Sequence, residues 1–190
     1  NLEVKGKMYH IAYPLADDVS SVTLIIATTR PETLFGDTAV AVHPEDDRYK
    51  HLIGKFVKKP LTDHLIPIIA DEHCDKDFGT GVLKVTPAHD FNDFETGKRH
   101  NLPMKQVIGF DGKMNHHAGK FEGLYVKEAR RQIIEEMQQK GLVEKIDEKY
   151  VTNLSLCYKC KNVLEPLPLE QWFVKVKPLT EKAIAAVKKG

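Results

Sequence analysis

The sequence predicts a mixed α+β fold centred on β-strands, and three observations point to that class. Short segments rich in β-branched and aromatic residues recur from the start of the chain, as in KMYHIAY and SVTLIIAT. Segments with helical spacing of apolar residues are inserted between some of these strands, which is typical of a mixed fold. Finally, 42% of the 190 residues are hydrophobic and 29% are charged, as in a soluble protein with one substantial domain.

The strand predictions rest on β-branched and aromatic runs that end at turn residues. The acidic pair Asp17-Asp18 predicts the turn between the first two strands. A further strand, 106–110, is predicted from QVIGF. The five strands before it cover residues 7–13, 21–28, 37–42, 66–70 and 82–86.

Four segments are predicted to be helical, and glycine marks the end of two of them. The clearest is VKEARRQIIEEMQQKG, which ends at Gly141. From residue 142 the chain is predicted to be extended until its last, amphipathic helix. The four helices cover residues 45–54, 91–100, 126–141 and 180–189. The apolar face of the third consists of Ala129, Ile133, Ile134 and Met137.

Composition excludes some classes of protein. The longest apolar run, residues 24–27, is too short to cross a bilayer, and the first residues lack a secretory signal, so we expect a cytosolic chain without a membrane partner.

The net charge of +1 gives no support for a nucleic-acid partner. Basic residues in KVKPLTEKAIAAVKKG are candidates for a local patch, but the sequence favours a solvated helix face for them. Three cysteines, an odd number, argue against a disulfide framework.

Threonines and one arginine crowd the end of the second predicted strand, in ATTRPETLFGDT. Pro31 stops the strand and favours a turn or a helix start. A single threonine, Thr29 or Thr33, would only cap that turn. As a set, the hydroxyls and the guanidinium predict the rim of a polar pocket that binds a ribose or a small polar group. The residues of this set are Thr28, Thr29, Arg30 and Thr33.

A second polar group lies in FGTGVLKVTPAHDFNDFE. Lys84 and Thr86 share one face of a predicted strand, because side chains alternate along a strand. Asp90 and Asp93 follow at the start of a helix. In one interpretation they form a variant of the capping box, with Asp90 as N-cap. In the other, the two carboxylates anchor an ammonium group and position a water. His89, between the strand and the helix, is either a general base or a structural loop residue.

The third motif is the C-x-x-C of CYKCKNVLEP, formed by Cys157 and Cys160. Its spacing fits two ligands of a tetrahedral zinc ion, which needs four. A thioredoxin-like redox site is the competing interpretation, but the residues after the motif do not predict the helix that such a site requires. Cys74 stands alone, and we expect it to be buried as a small apolar residue.

Long stretches of the chain resemble, in this order, the editing insertion of class I aminoacyl-tRNA synthetases. The stretches are TTRPETLFGDTAVAVHPED, IPIIADEHCDKDFGTGVLKVTPAHDFNDFETGKRHNLP and EPLPLEQWFVKVKPL. Isoleucine enzymes typically have TTTPWTLPSN where this chain has TTRPETLFGD. Leucine enzymes share TTRP-x-TLFG but typically have a VPAHDERDFEFA type of run. The chain therefore resembles the valine enzymes.

The resemblance implies a proofreading function. A synthetic pocket built for valine cannot strongly reject threonine, which has nearly the same shape, and a second site hydrolyses the threonyl ester. That site must accept a hydroxyl and reject an isopropyl group, which buried polar residues achieve. The reaction implied is hydrolysis of mischarged threonyl-tRNA(Val) by an activated water, without a protein nucleophile. The general base stays open, and activation through a ribose hydroxyl is one option.

The resemblance also assigns roles to the residues singled out above. Asp93 would bind the α-ammonium of threonine and Asp90 its hydroxyl, while Lys84 and Thr86 would contact the substrate or orient the water. Phe78 would pack against the adenine or the threonyl methyl group. The terminal adenosine or the aminoacyl ester would be held by Thr28, Thr29, Arg30 and Thr33.

The same resemblance implies the organisation of the chain. Residues 1–150 would form the deacylase, a barrel-like core with peripheral helices. Residues 151–190 would form an extension with half a zinc knuckle at Cys157 and Cys160 and a return segment toward the synthetic body, whose HIGH and KMSKS signatures are absent from this chain. Editing would need no cofactor, and zinc would bind only in the full-length enzyme. The expected partners are the acceptor end of tRNA(Val) and the rest of the synthetase, with the protein a monomer.

Two other functions fit parts of the sequence. One is editing for a leucyl- or isoleucyl-tRNA synthetase, which a deacylation assay with different mischarged tRNAs would distinguish. The other is a non-catalytic tRNA-binding or zinc-ribbon module. That module would explain CYKC but leaves the threonine motif and the two aspartates without a task.

Overall fold

The computed structural model describes residues 2–16 and 22–189, and within them it contains nine strands, three α-helices and three 3₁₀ helices. The strands are β1 (Leu2–Lys5), β2 (Met8–Pro14), β3 (Thr23–Thr28), β4 (Ala39–Val42), β5 (Phe56–Lys58), β6 (Leu65–Ala70), β7 (Val82–Val85), β8 (Val143–Asp147) and β9 (Val151–Leu154). The α-helices are α1 (Phe91–Arg99), α2 (Val126–Gln139) and α3 (Lys177–Lys188). The 3₁₀ helices cover Pro31–Gly36, Lys50–Leu52 and His116–Phe121.

The strands form three separate sheets, with the orders β3-β2-β8, β5-β6-β4-β7 and β1-β9. Neighbouring strands are antiparallel except β4 and β6, which run parallel. The predicted class, a mixed fold centred on β-strands, is confirmed. Within residues 2–16 and 22–189 none of the sheets closes on itself, so the core is an assembly of open sheets and not a closed barrel.

One apolar core connects the two larger sheets with α2 and the first 3₁₀ helix. Residues of β2 and β3 alternate between the core and the other face, as expected for a sheet covered on one side. The predicted apolar face of α2 is confirmed, because all four of its residues are buried. Gly141 follows the helix with a positive φ of 67°, which fits its predicted capping role.

Three of the predicted elements differ in the structure. Residues 45–54 form turns and a short 3₁₀ helix instead of an α-helix, because the Asp46 carboxylate accepts the Arg48 backbone N–H and competes with helical bonding. Residues 106–110 form no strand; Ile108 makes only an isolated bridge to Met114. The last helix begins at Lys177, before the predicted start, with Pro178 in its first turn.

Two further predictions concern the turn at Asp17-Asp18 and the burial of Cys74. The turn predicted at Asp17-Asp18 lies outside the described residues. Cys74, which was expected to be buried, is only 3% exposed, and burial raises the pKa of its thiol to about 11. No helix in the described part of the chain is long and apolar enough to span a membrane.

Candidate active site

The threonine motif begins where β3 ends. Pro31 follows Arg30 and starts a 3₁₀ helix whose six residues are all buried. Thr33 lies in this helix and donates its hydroxyl to the Arg30 carbonyl at 3.0 Å. Thr28 accepts the Arg30 N–H at 3.1 Å. Thr28 and Thr33 therefore stabilise the turn, but neither Thr29 nor Thr33 is its cap, because Arg30 is the N-cap residue of the 3₁₀ helix and the helix has no side-chain cap hydrogen bond.

Lys84 connects this helix with β7. Its ammonium donates to the hydroxyl of Thr33 at 3.0 Å and to that of Thr86 at 2.5 Å. The two predicted polar groups, which are far apart in sequence, therefore meet at one point. Thr86 is fully buried, whereas the side chain of Lys84 is 11% exposed, so Lys84 is the member that reaches the surface.

Asp37 is a buried member of the same cluster that the sequence did not identify. Its carboxylate accepts the Thr86 hydroxyl at 2.6 Å and the Tyr13 hydroxyl at 2.7 Å, and it lies 3.6 Å from the Lys84 ammonium. Burial, followed by the charge of Asp37, raises the pKa of Tyr13 well above its ordinary value, so Tyr13 is a neutral donor. We call Tyr13, Thr33, Asp37, Lys84 and Thr86 the Lys84 cluster. A charged residue inside GDTAV was the only sequence signal for Asp37.

The two aspartates of the second motif have different surroundings. Asp90 is the N-cap of α1, and its carboxylate accepts the N–H groups of Asn92 and Asp93 at 2.8 and 3.1 Å. Asp93 is only 5% exposed, and it accepts the backbone N–H of Thr86 at 2.8 Å. It therefore ties α1 to the end of β7 and does not close a capping box with Asp90. Burial raises the pKa of Asp93 to about 6, although Lys84 and the Thr86 N–H oppose that shift.

Arg30 lies beside the cluster and is already engaged. It donates to the His89 carbonyl at 2.8 Å and forms an ion pair with Glu165, a residue of the predicted extension. It also lies 3.5 Å from Glu32, whose fully buried carboxylate makes a two-point pair with Arg130 at 2.7 Å. Burial raises the pKa of Glu165. The guanidinium of Arg30 is thus oriented by protein groups on several sides.

His89 is buried and placed for a structural role. Its Nε2 accepts the backbone N–H of Val107 at 2.9 Å, so a neutral ring carries its proton on Nδ1. That Nδ1 lies near the Pro166 carbonyl but makes no hydrogen bond of good geometry. Burial and the charges of Arg30 and Lys84 lower the pKa of His89 to about 4. With its lone pair occupied by Val107, His89 is not arranged as a general base.

Of the six predicted substrate-binding residues, Thr33 belongs to the Lys84 cluster, whereas Phe78 and Thr29 take part in none of the contacts described above. Phe78 is in the turn before β7, at the opposite end of the strand from Thr86, and its side chain is 67% exposed. Thr29 is half-buried and makes no side-chain hydrogen bond to any described residue. Their roles stay predictions.

The C-x-x-C motif lies on a turn after β9, where Cys157 is half-buried and Cys160 is exposed. Backbone hydrogen bonds from Cys160 and Lys159 lower the pKa of the Cys157 thiol. Residues 2–16 and 22–189 contain no group of three or more possible metal ligands. The cysteine pair alone therefore does not fit a tetrahedral zinc site.

Comparison with protein families gives a match to the model described as "Leucyl-tRNA synthetase, editing domain", over residues 48–150. Curated relatives are valine–tRNA ligases. That of Carboxydothermus hydrogenoformans is 54% identical over 100% of this chain and 21% of its own length. That of Geobacillus stearothermophilus is 54% identical over 96% of this chain and 20% of its own length. The chain thus spans about a fifth of the length of these relatives.

Two solved structures share the fold. The LeuRS of Agrobacterium radiobacter K84 (agnB2), in a ternary complex with tRNA and LeuAMS, superposes with a TM-score of 0.59, at 20% identity, over 84% of this chain and 24% of that chain. The crystal structure of GlLeuRS-CP1 gives a TM-score of 0.58, at 14% identity, over 74% of this chain and 98% of that chain. At such identities the likeness concerns the fold alone.

Proposed function

Because the chain belongs to the family of leucyl-tRNA synthetase editing domains, we propose that it is the proofreading part of a valine–tRNA ligase. In this proposal it hydrolyses the ester of mischarged threonyl-tRNA(Val) after transfer and spares valyl-tRNA(Val). Residues 1–150 carry the deacylase, and residues 151–190 form the extension that returns to the synthetic body. The relatives at 54% identity, which are valine–tRNA ligases, favour valine over leucine.

The observation that supports this function best is the meeting of Lys84, Thr33 and Asp93 at one junction. The ammonium of Lys84 donates a hydrogen bond to the Thr33 hydroxyl. Asp93 is a buried carboxylate that accepts the backbone N–H of Thr86, the residue directly after the strand that carries Lys84. Burial of a carboxylate whose pKa rises to about 6 opposes folding, and carboxylates perturbed in this way are frequent at functional sites. A carboxylate at this point would pair with the α-ammonium of an aminoacyl ester.

Selectivity follows from the polarity of the junction. A threonyl hydroxyl bound there exchanges hydrogen bonds with water for hydrogen bonds with protein. A valyl methyl group in the same place would remove water from polar groups without replacing the hydrogen bonds of that water, which costs about 1–3 kcal/mol per group. The proposed acceptor for the threonyl hydroxyl is Asp90, which is exposed in the absence of substrate and has lone pairs beyond its two cap bonds.

In the hydrolysis itself, the oxygen of a water attacks the ester carbonyl carbon, and the bond from that carbon to the ribose oxygen breaks. One proton of the water ends on the ribose oxygen, which releases threonine and tRNA. Lys84 would stabilise the negative charge that develops on the carbonyl oxygen. His89 is an unsuitable base because its Nε2 already accepts from Val107. Proton transfer through a ribose hydroxyl of the substrate is the proposed route.

Zinc is proposed only for the full-length enzyme, outside the reaction. The antiparallel pairing of Leu2 with Leu154 directs the chain before β1 toward the turn that carries Cys157 and Cys160. Cysteines upstream of residue 1 in a full-length enzyme would therefore approach this pair and complete four thiolate ligands. No step of the hydrolysis depends on this metal.

The test is a deacylation assay with three substrates: threonyl-tRNA(Val), valyl-tRNA(Val) and mischarged tRNA(Leu). The proposal predicts rapid release of threonine from tRNA(Val) and little release of valine. Equal hydrolysis of both esters would contradict it. Preferential hydrolysis of mischarged tRNA(Leu), which the family match over residues 48–150 makes the second candidate, would move the function to a leucine enzyme. Absence of all hydrolysis together with tRNA binding would indicate a non-catalytic module.

A further inference from the structure

The carboxylate of Asp37 has no role in the reaction described so far, yet it is fully buried behind the Lys84 ammonium. Both of its oxygens are occupied: Oδ1 accepts from Thr86 and Oδ2 accepts from Tyr13. A carboxylate can only accept hydrogen bonds. The hydroxyl protons of Thr86 and Tyr13 must therefore both point toward Asp37.

This direction of bonding determines what Thr86 can do. Since its proton is committed to Asp37, only the lone pairs of its oxygen remain, and the Lys84 ammonium donates to that oxygen at 2.5 Å. Thr33 is in the same position, because it donates to the Arg30 carbonyl and accepts from Lys84. Both threonine oxygens thus face Lys84 as acceptors.

An ammonium has three N–H groups in a tetrahedral arrangement. Two of those of Lys84 are directed at Thr33 and Thr86, so the direction of the third is fixed. Of these residues Lys84 alone has an exposed part of its side chain, 11%, while Thr86 and Asp37 have none. A substrate at the surface therefore meets the lysine and not the threonine.

We propose that Asp37, held by Tyr13, positions Lys84 through the Thr86 hydroxyl, and that Lys84 is the member of this group that touches the ester. The proposal rests on the deacylase function above. A purely structural role, in which Asp37 only joins β4 to β7, predicts a loss of stability without a specific change in turnover.

The decisive variant is Asp37→Asn, which keeps the shape but replaces one acceptor by an NH₂ donor. An NH₂ that faces Thr86 turns the Thr86 proton toward Lys84 and breaks that bond. We expect kcat for threonyl-tRNA(Val) to fall by about tenfold or more, with KM within threefold, since the loss corresponds to one charge-assisted hydrogen bond. Thr86→Val should reproduce this fall, and Thr86→Ser should restore most of the rate because serine retains the hydroxyl.

A double-mutant cycle with Lys84→Met separates the two roles. If Asp37 acts through Lys84, then Asp37→Asn changes kcat by less than about twofold in the Lys84→Met background. Asp46→Asn is the matched control, because Asp46 is also a buried aspartate but bonds to Arg48 outside the cluster. It should leave kcat unchanged. Tyr13→Phe, a milder change, should lower kcat by a few-fold even if Asp37→Asn folds poorly.

The possible outcomes are distinct. Losses from Asp37→Asn and Lys84→Met that multiply independently, or a loss confined to stability or KM, would overturn the positioning role while leaving the deacylase function intact. If the unaltered chain hydrolyses none of the esters, both the function and this role are excluded.

Discussion

The first region of the chain, up to residue 150, and the second region, from residue 151 onward, differ in which side chains they bury and which they expose. The first region buries charged groups such as Glu32, Asp37 and Asp93. The second buries none of its described residues and exposes Trp172 and Phe173 almost completely. Buried charges and exposed apolar side chains are each unfavourable for an isolated chain.

Such opposite patterns of burial indicate different roles for the two regions. Buried charged groups with a perturbed pKa, such as Asp93, are frequent at functional sites. Exposed aromatic and aliphatic side chains along 172–187 are characteristic of a surface that another part of a larger protein covers. Between these extremes, Glu165 and Leu167 return to the first region, where they contact Arg30 and the apolar core.

The largest effect is expected from breaking a buried ion pair of the first region. Glu32→Gln removes the charge that Arg130 faces in a two-point pair, and we expect the free energy of unfolding to fall by about 2–4 kcal/mol. Urea unfolding measures it. Glu128→Gln is the matched control, because Glu128 pairs with Arg131 on the exposed face of α2. That change should cost much less, because solvent screens an exposed ion pair, and equal losses in the two variants would remove the distinction.

An intermediate effect is expected from pH. Asp93 has a pKa raised to about 6, so it becomes protonated, and loses its attraction for an ammonium, as pH falls through 6. We expect kcat/KM for threonyl-tRNA(Val) to fall by about tenfold per pH unit below that point. The acid limb should be absent in Asp93→Asn. A limb centred near pH 4, the ordinary range of aspartate, would show that this carboxylate is not the group concerned.

The smallest effect is expected from the second region. Deletion of residues 170–190 removes α3 and the exposed Trp172 but keeps Glu165 and Leu167. Because no described residue of this segment is buried, the free energy of unfolding should change by less than about 0.5 kcal/mol. Self-association measured by sedimentation should decrease, since apolar surface is lost. A large loss of stability would mean that the extension belongs to the folded domain.

Local sequence patterns were sufficient for much of the fold. Amphipathic spacing predicted α2 and its buried face, and β-branched runs predicted β2, β3, β4, β6 and β7 to within two residues at each end. The pattern failed at 45–54, where a side chain of Asp46 competes for a backbone N–H. It also gave no assignment for β1, whose pairing with β9 joins segments from opposite ends of the chain. Such long-range pairing leaves no local periodicity.

The candidate site was predicted in its parts but not in its connections. Thr33, Lys84 and Thr86 were singled out from two motifs, and the structure brings them together. Asp37 was missed because its role depends on Tyr13 and Thr86, which are distant in sequence. The capping interpretation holds for Asp90 but not for Asp93, whose contact is with the backbone of Thr86. Sequence spacing cannot distinguish these two aspartates.

The role of Asp93 is best tested by threonyl-tRNA(Val) deacylation with Asp93→Asn, together with the stability of the same sample. A carboxyl pKa raised by folding means that the folded state binds more protons than the unfolded state between about pH 4 and 6, so stability falls as pH rises through that window. At pH 7, Asp93→Asn should therefore be more stable than the original chain by about 1–3 kcal/mol, with no gain at pH 4. We expect this stabler protein to lose about ten- to a hundredfold in deacylation, because the charge that holds the ammonium is gone. Unchanged deacylation by the folded variant would contradict it and leave Asp93 as a structural residue.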